Sequence, residues 1–382
     1  MFLKFRLPHY FTTKLRTEVK ELYVATAIAD LALATMLIFE PIFLYQSVGF
    51  SVPKILLFFA AVYAWYVVLI PIGAKFAARF GFKHSLIASV PFQLLYWACL
   101  YFALEYPQLV WVAAFLYGLE KSFYWPAFHS VVAQFANQGQ VAREFSFLTA
   151  LIQLAQILGP VAGGFIAQVA GGQNLLIVAG AIYSLAIIPL FFHKEKGSKK
   201  PYRFADTLRL YKVHVYKMLG YWGFGEELLA LTIWPIFMFI AVQGYGATGG
   251  AVTLAAAISA IISLYMGKWT DTHPKRPLIK LGGLMTAVTW LVRPWFPSPQ
   301  GVTSVDTGAR VAKNVSFIPI CTVTYERAEA SSIVPYVVFF EQSLAIGKLL
   351  TALAAAALFY MFASYSVLFI LGALVSLLYV LL

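Results

Sequence analysis

Charged residues are scarce in this chain. Asp, Glu, Lys and Arg make up 12% of its 382 residues, about half the ~25% of a soluble globular domain. With 61% hydrophobic and 17% aromatic residues, that shortage excludes a water-soluble enzyme. The same apolar excess excludes a disordered or collagen-like chain, which could not hide so much Phe, Leu, Val and Ala from water. Cysteine is nearly absent. Cys99 and Cys321 both lie in apolar runs, offer no disulfide framework or CxxC spacing, and read as small buried residues. No Walker loop is present, which removes ATP-driven pumping, and no HExxH, GxSxG or Cys/His cluster supports hydrolase or metal chemistry. No cofactor and no metal site are therefore expected. The first twenty residues are polar and basic, so no cleavable signal peptide is expected either.

What is present is a succession of apolar stretches, each near the ~20 residues that an α-helix needs to cross a bilayer. Twelve are expected, near 22–45, 55–74, 85–104, 109–132, 145–170, 174–193, 218–242, 247–266, 278–296, 302–324, 332–358 and 361–382. The fold class is thus all-α and polytopic, with the lipid bilayer as the chain's solvent. The formal charge of +12 does not signal nucleic acid, because the basic residues are spread between apolar segments and not gathered on one face. Of the 28 Lys and Arg, 22 fall before the first stretch or in every second loop, including Lys75, Arg79, Lys83, Arg143, Lys268, Lys275, Arg276 and Arg327. Cytoplasmic loops carry such an excess, so both termini are expected in the cytoplasm, with the protein in a cell (inner) membrane.

The longest hydrophilic segment, from Lys194 to Lys217, divides the stretches into six and six: an N-terminal bundle (1–193), a central cytoplasmic loop (194–217) and a C-terminal bundle (218–382). A central linker invites a search for internal repetition. The turn after the second stretch runs from Gly73 through Arg79, Gly81 and Lys83, and that after the eighth from Gly267 through Asp271, Lys275 and Arg276. Aligned at an offset of 193 residues, these turns also bring Pro126 onto Pro319.

Six plus six helices, a basic central loop and this twice-occurring basic turn resemble the major facilitator superfamily of secondary transporters. The turn resembles that family's loop signature. The second copy keeps Gly267, Asp271, Lys275 and Arg276, with Pro274 in place of the second Gly, and the first keeps Arg79, Gly81 and Lys83, with Ala78 where the acid belongs. In the family this acid helps latch the outward-facing state, so the resemblance implies such a latch at Asp271. Gly159-Pro160-Val161-Ala162-Gly163-Gly164 resembles the family's GPxxGG motif, common in exporters. Its proline removes a backbone hydrogen bond while its small residues admit a neighbouring helix closely. The Arg expected four residues before Gly118 is absent, Ala114 standing there, which departs from the standard drug and proton antiporter pattern.

Ionisable residues inside spans are costly, at ~2.5–3.5 kcal/mol on insertion scales, and mark function. Ten stand out: Asp30, Glu40, Glu120, Lys121, Glu226, Glu227, Arg310, Lys313, Glu341 and Lys348. The resemblance implies a central cavity lined by the first, fourth, seventh and tenth helices, which carry eight of them. Asp30, Glu120, Glu226 and Glu227 are candidates for proton coupling, since buried carboxyls can exchange protons near neutral pH. Lys121, Tyr124, Trp125, Arg310 and Lys313 are candidate cavity residues. Arg310 and Lys313 share a helix face, which suits either an anionic substrate group or pairing with Glu226 or Glu227. His129 reads as hydrogen-bonded structure or a proton shuttle. Glu341 and Lys348 read as a structural pair, and Glu40 and Arg293 as rim residues reaching headgroups.

These features point to a monomeric secondary transporter of a small polar or charged organic solute, working by alternating access and coupled to protons. Sodium coupling and uncoupled movement stay open, as do a proton antiporter exporting amphipathic compounds and, from another class, a membrane-embedded receptor or enzyme.

Overall fold

The chain is described by a computed structural model covering residues 17–135, 141–192 and 201–382, with side chains at 21–134, 152–192, 201–262 and 273–382. Long apolar runs leave the backbone no water to bond with, so each closes its hydrogen bonds internally as a helix. The helices are α1 (Thr17–Met36), α2 (Phe39–Gln46), α3 (Val52–Phe80), α4 (Phe82–Phe102), α5 (Leu109–Phe135), α6 (Val141–Ala170), α7 (Gly172–Leu185), α8 (Phe204–Val213), α9 (Val215–Trp222), α10 (Gly225–Val242), α11 (Tyr245–Thr272), α12 (Lys275–Val292), α13 (Pro299–Ala330), α14 (Ile333–Phe362) and α15 (Tyr365–Ser376). No strand occurs among the described residues.

The described residues of the expected stretches are mainly helical. Among the described residues, eight helical segments are long and apolar enough to cross a membrane: Glu21–Gln46, Val52–Phe80, Phe82–Phe102, Ile152–Ala170, Gly172–Phe191, Val215–Val242, Tyr245–Ile262 and Ile333–Phe362. Helices α5, α12 and α13 fall short of that apolar standard because they carry the chain's ionic residues, Glu120, Lys121, Lys280, Asp306, Arg310 and Lys313 among them. Two of these spans break next to acidic residues. The first passes from α1 to α2 just before Glu40, and the one from Val215 to Val242 breaks between Trp222 and Gly225, just before Glu226 and Glu227.

Short connections make sequential helices antiparallel neighbours, so the turns bearing Lys75, Arg79, Lys83, Lys275, Arg276 and Arg327 gather at one end, here termed the basic end. Gly81, at φ 112°, makes the abrupt junction between α3 and α4, a conformation open to glycine at little cost. In the N-terminal half α5 packs on α3 and α4, and α1 on α6 and α7; in the C-terminal half α13 packs on α11 and α12, and α12 on α15. The halves meet along two extensive seams, α3 with α14 and α6 with α11. Pro126 lies inside α5, which packs on α3 and α4, and Pro319 inside α13, which packs on α11 and α12.

The GPxxGG segment makes the second seam possible. A Cβ at Gly159 would lie 2.5 Å from that of Ala34, and one at Gly163 would overlap the Thr35 carbonyl, so this face of α6 seats directly on α1. A Cβ at Gly164 would come 2.6 Å from the Tyr245 carbonyl oxygen, and one at Gly249 would overlap that of Pro160, so another face seats on α11. The small residues thus bring backbone against backbone on both sides of one helix.

Candidate functional site

Buried ionic side chains form three groups, set by where the broken and proline-bearing helices meet. The first lies inside the N-terminal half. Glu120 on α5 accepts a 3.4 Å hydrogen bond from the Tyr183 hydroxyl, and Lys121 stands 3.9 Å over the Tyr117 ring. Asp30 on α1 has one buried oxygen, Oδ2, without a hydrogen-bond partner among the described residues. Glu40 is a correction to the sequence reading: it is 3% exposed, packed in the interior and not at a rim. Its place in the first turn of α2, just past the helix break, turns the side chain inward and lets it face the helix's N-terminal dipole.

The second group joins α10, α12, α13 and α14. Lys313 donates to Glu226 Oε1 at 2.6 Å and to the Tyr379 hydroxyl at 2.7 Å, and stands 3.7 Å from Glu227. Trp290 donates its indole N–H to Glu226 Oε2 at 3.1 Å. Lys348 pairs with Glu227 at 3.6 Å. One turn along α13, Arg310 Nε donates to Asp306 Oδ2 at 2.8 Å, and Asp306 Oδ1 accepts from Trp234 at 2.9 Å. Of the two roles left open for Lys313, the structure shows the pairing with Glu226 and Glu227, while Arg310 is held by its own helix. Arg293 is also a correction: at 2% exposure it lies inside the bundle, its guanidinium 3.3 Å from the Trp290 ring centroid and 4.3 Å from that of Trp234. The 3-10 turn after α12 folds it inward, and two indole faces offer a cation more than a single headgroup would.

The third group crosses between the halves toward the basic end. His129 Nε2 on α5 lies 2.9 Å from Glu341 Oε1 on α14, and its Nδ1 lies 2.6 Å from the Tyr325 hydroxyl on α13. Tyr66 on α3 donates to Glu341 Oε2 at 2.7 Å. With a proton on Nε2 to meet the carboxylate, Nδ1 is an acceptor in neutral histidine and a donor in the charged form. A phenol hydroxyl can serve as either partner. Next to it Gln342 donates to the Val67 carbonyl at 2.8 Å and accepts from Tyr211 of α8 at 2.9 Å, so the central linker is tied to the same seam. Glu341 and Lys348, expected as a pair, therefore serve different partners: Glu341 takes His129 and Tyr66 of the opposite half, while Lys348 pairs with Glu227 of its own half and stands 5.4 Å from the Tyr63 ring centroid of the other.

Among the other candidates, Tyr124 stacks on Phe128 at 5.7 Å within an apolar cluster, and Trp125 lies over His129 at 5.3 Å. Lys83 pairs with Glu21 at 3.3 Å, Arg79 lies over Phe80, and Lys275 pairs with Glu326. Arg276 is exposed. Gly267 and Asp271 fall in α11, and the side chain of Asp271 lies outside the described residues. Sequence reasoning missed Asp306, although its four-residue spacing to Arg310 is a helical pairing signal. It also missed Tyr66, Trp290 and Tyr379, whose partners are 64 to 275 residues away and leave no local trace.

The sequence profile of the Major Facilitator Superfamily matches residues 22–318. The chain belongs to that superfamily. In fold this facilitator resembles the crystal structure of a mutant of the nucleoside transporter NupG, with a TM-score of 0.72 over 95% of this chain and 98% of that one, at 10% sequence identity. No curated protein matches this facilitator in sequence. At such identity the likeness concerns the helical framework alone.

Proposed function

We propose that this facilitator is a twelve-span secondary transporter, with halves 1–193 and 218–382 joined by a cytoplasmic loop, that moves a small polar or charged organic solute by alternating access and couples the movement to protons. The observation that carries the reading is the crossing group at the basic end. Glu341, His129, Tyr66 and Tyr325 bind the halves by side chains that can release one another, while the GPxxGG seam lets backbones slide on small residues. Breaking the first while the second holds opens the basic end, which the distribution of Lys and Arg assigns to the cytoplasm. Wedging the second while the first holds opens the other. A solute bound between α10 and α13 would be exposed to each side in turn.

Asp30 is the coupling carboxyl. Its unpartnered oxygen is a place a proton can occupy, and ionised without that proton it would be a buried charge lacking a counter-ion, a costly state. The carboxyl therefore favours loading in one conformation and release in another where water reaches it. The test is solute-driven proton movement in liposomes holding a pH dye. Asp30→Asn should abolish proton movement while leaving exchange of labelled solute intact. Undiminished pH-driven transport in the variant would refute the assignment.

A further inference from the structure

The C-terminal half carries a guanidinium whose charge is only partly used. Lys313 is fully engaged by Glu226, Glu227 and Tyr379, and Lys348 by Glu227. With them stand Arg293 and Arg310, so four cations face three carboxylates, Glu226, Glu227 and Asp306; Asp306 pairs with Arg310, and both Asp306 and Glu226 act on Arg293. Four cations against three carboxylates leave one positive charge in excess. Arg293 cannot spend it on a solute, being buried between two indole rings.

Arg310 can. Asp306 takes only its Nε–H, and its two terminal nitrogens have no partner among the described residues. The Arg310 side chain is 27% exposed against 7% for Asp306, so the ion pair is buried at its acid and open at its base. Its direction is fixed by its neighbours. Asp306, four residues before, bonds to Trp234 of α10, and Lys313, three residues after, bonds to Glu226 of the same helix. Residues at those spacings share a face, so Arg310 points to the space between α13 and α10. The terminal edge of a guanidinium presents two parallel N–H groups, a fork that matches the two oxygens of a carboxylate or phosphate.

We propose that Arg310 is the solute-binding residue of this transporter and that its solute carries an organic oxyanion, a carboxylate or a phosphoryl group, docked on the terminal edge of the guanidinium. Asp306 is then a positioning residue: it fixes the Nε side so that the fork faces outward, and Trp234 fixes Asp306. The inference rests on the transport reading above and names the solute class for it.

The test pairs binding with counterflow. Purified protein is screened by thermal stabilisation against mono- and dicarboxylates, amino acids and phosphomonoesters, each beside its uncharged amide or alcohol, and liposomes are assayed for counterflow of the same compounds. The expected result is stabilisation and counterflow by charged members only, the responding family telling carboxylate from phosphoryl. Arg310→Lys keeps the charge but loses the fork and should weaken binding about tenfold or more, and Arg310→Gln should abolish it, since a charged hydrogen bond carries ~1.5–3 kcal/mol. If Arg310→Gln does not run as a folded monodisperse protein, the Lys variant decides alone. Asp306→Asn removes the competing charge and keeps an acceptor for Trp234, so anion binding should tighten. Neutral compounds bound as well as their acids, or an Arg310→Lys protein binding anions as tightly as the parent, would overturn the assignment while counterflow preserved the transport reading. Absence of counterflow for every compound would overturn both.

Discussion

Replacing Glu341 by glutamine should loosen the basic end by an amount that the geometry sets. Glutamine keeps a carbonyl oxygen for the Tyr66 hydroxyl, now 2.7 Å away, but loses the charge that faces His129 at 2.9 Å. A hydrogen bond to a charged group contributes ~1.5–3 kcal/mol, and each ~1.4 kcal/mol is tenfold in an equilibrium constant. The population open at the basic end should therefore rise about 10- to 100-fold. The chain carries its own reporter. Cys321, 2% exposed, is packed with Ala133 of α5 and with Tyr325, Ala328 and Tyr336 at this seam, so parting α5 from α13 uncovers its thiol. In a Cys99→Ser background Cys321 is the one remaining thiol. With a slow maleimide reagent, labelling tracks the open population, and Glu341→Gln should accelerate it by that factor. A labelling rate within twofold of the parent would refute the role given to the crossing group.

The opposite seam gives a prediction of opposite sign: Gly164→Val would drive a side chain into the Tyr245 carbonyl, wedge α6 from α11, and slow Cys321 labelling while blocking counterflow. Glu226→Gln strips Lys313 of its nearest counter-ion but leaves Glu227 at 3.7 Å, so the loss should fall below the ~3–5 kcal/mol of a fully orphaned buried charge, near ~2 kcal/mol. It should appear as a lowered thermal unfolding midpoint, partly recovered by adding Lys313→Met, which removes the stranded charge. A double variant less stable than Glu226→Gln alone would contradict that account.

The sequence carried the framework well because hydropathy and proline placement are local. The expected apolar stretches are mainly helical in their described residues, and Pro126 and Pro319 each fall inside a helix. GPxxGG was legible as a close-packing segment, but not that Gly163 serves α1 while Gly164 serves α11, since two faces of one helix are distinguished only by their neighbours. The ionic residues were identified, yet their partners were not. Pairing inside a bundle depends on helix rotation, which composition leaves undetermined, and so Glu341 and Lys348 were joined to each other. Arg293 reads from the sequence as a rim residue reaching headgroups, and Pro294, Trp295 and Phe296 beside it look like an interface. The 3-10 turn there folds the guanidinium inward instead. Asp306 was within reach, because its spacing to Arg310 is a helical signal that needs no tertiary knowledge.

The central claim is that the halves rock about two seams, and the direct measurement is the distance between spin labels at Lys75 on α3 and Ser331 beyond α13, both exposed at the basic end, in protein lacking its two native thiols. The account predicts two distance populations in liposomes, with the longer one enriched by Glu341→Gln and depleted by Gly164→Val. A single distance unmoved by either substitution would contradict it.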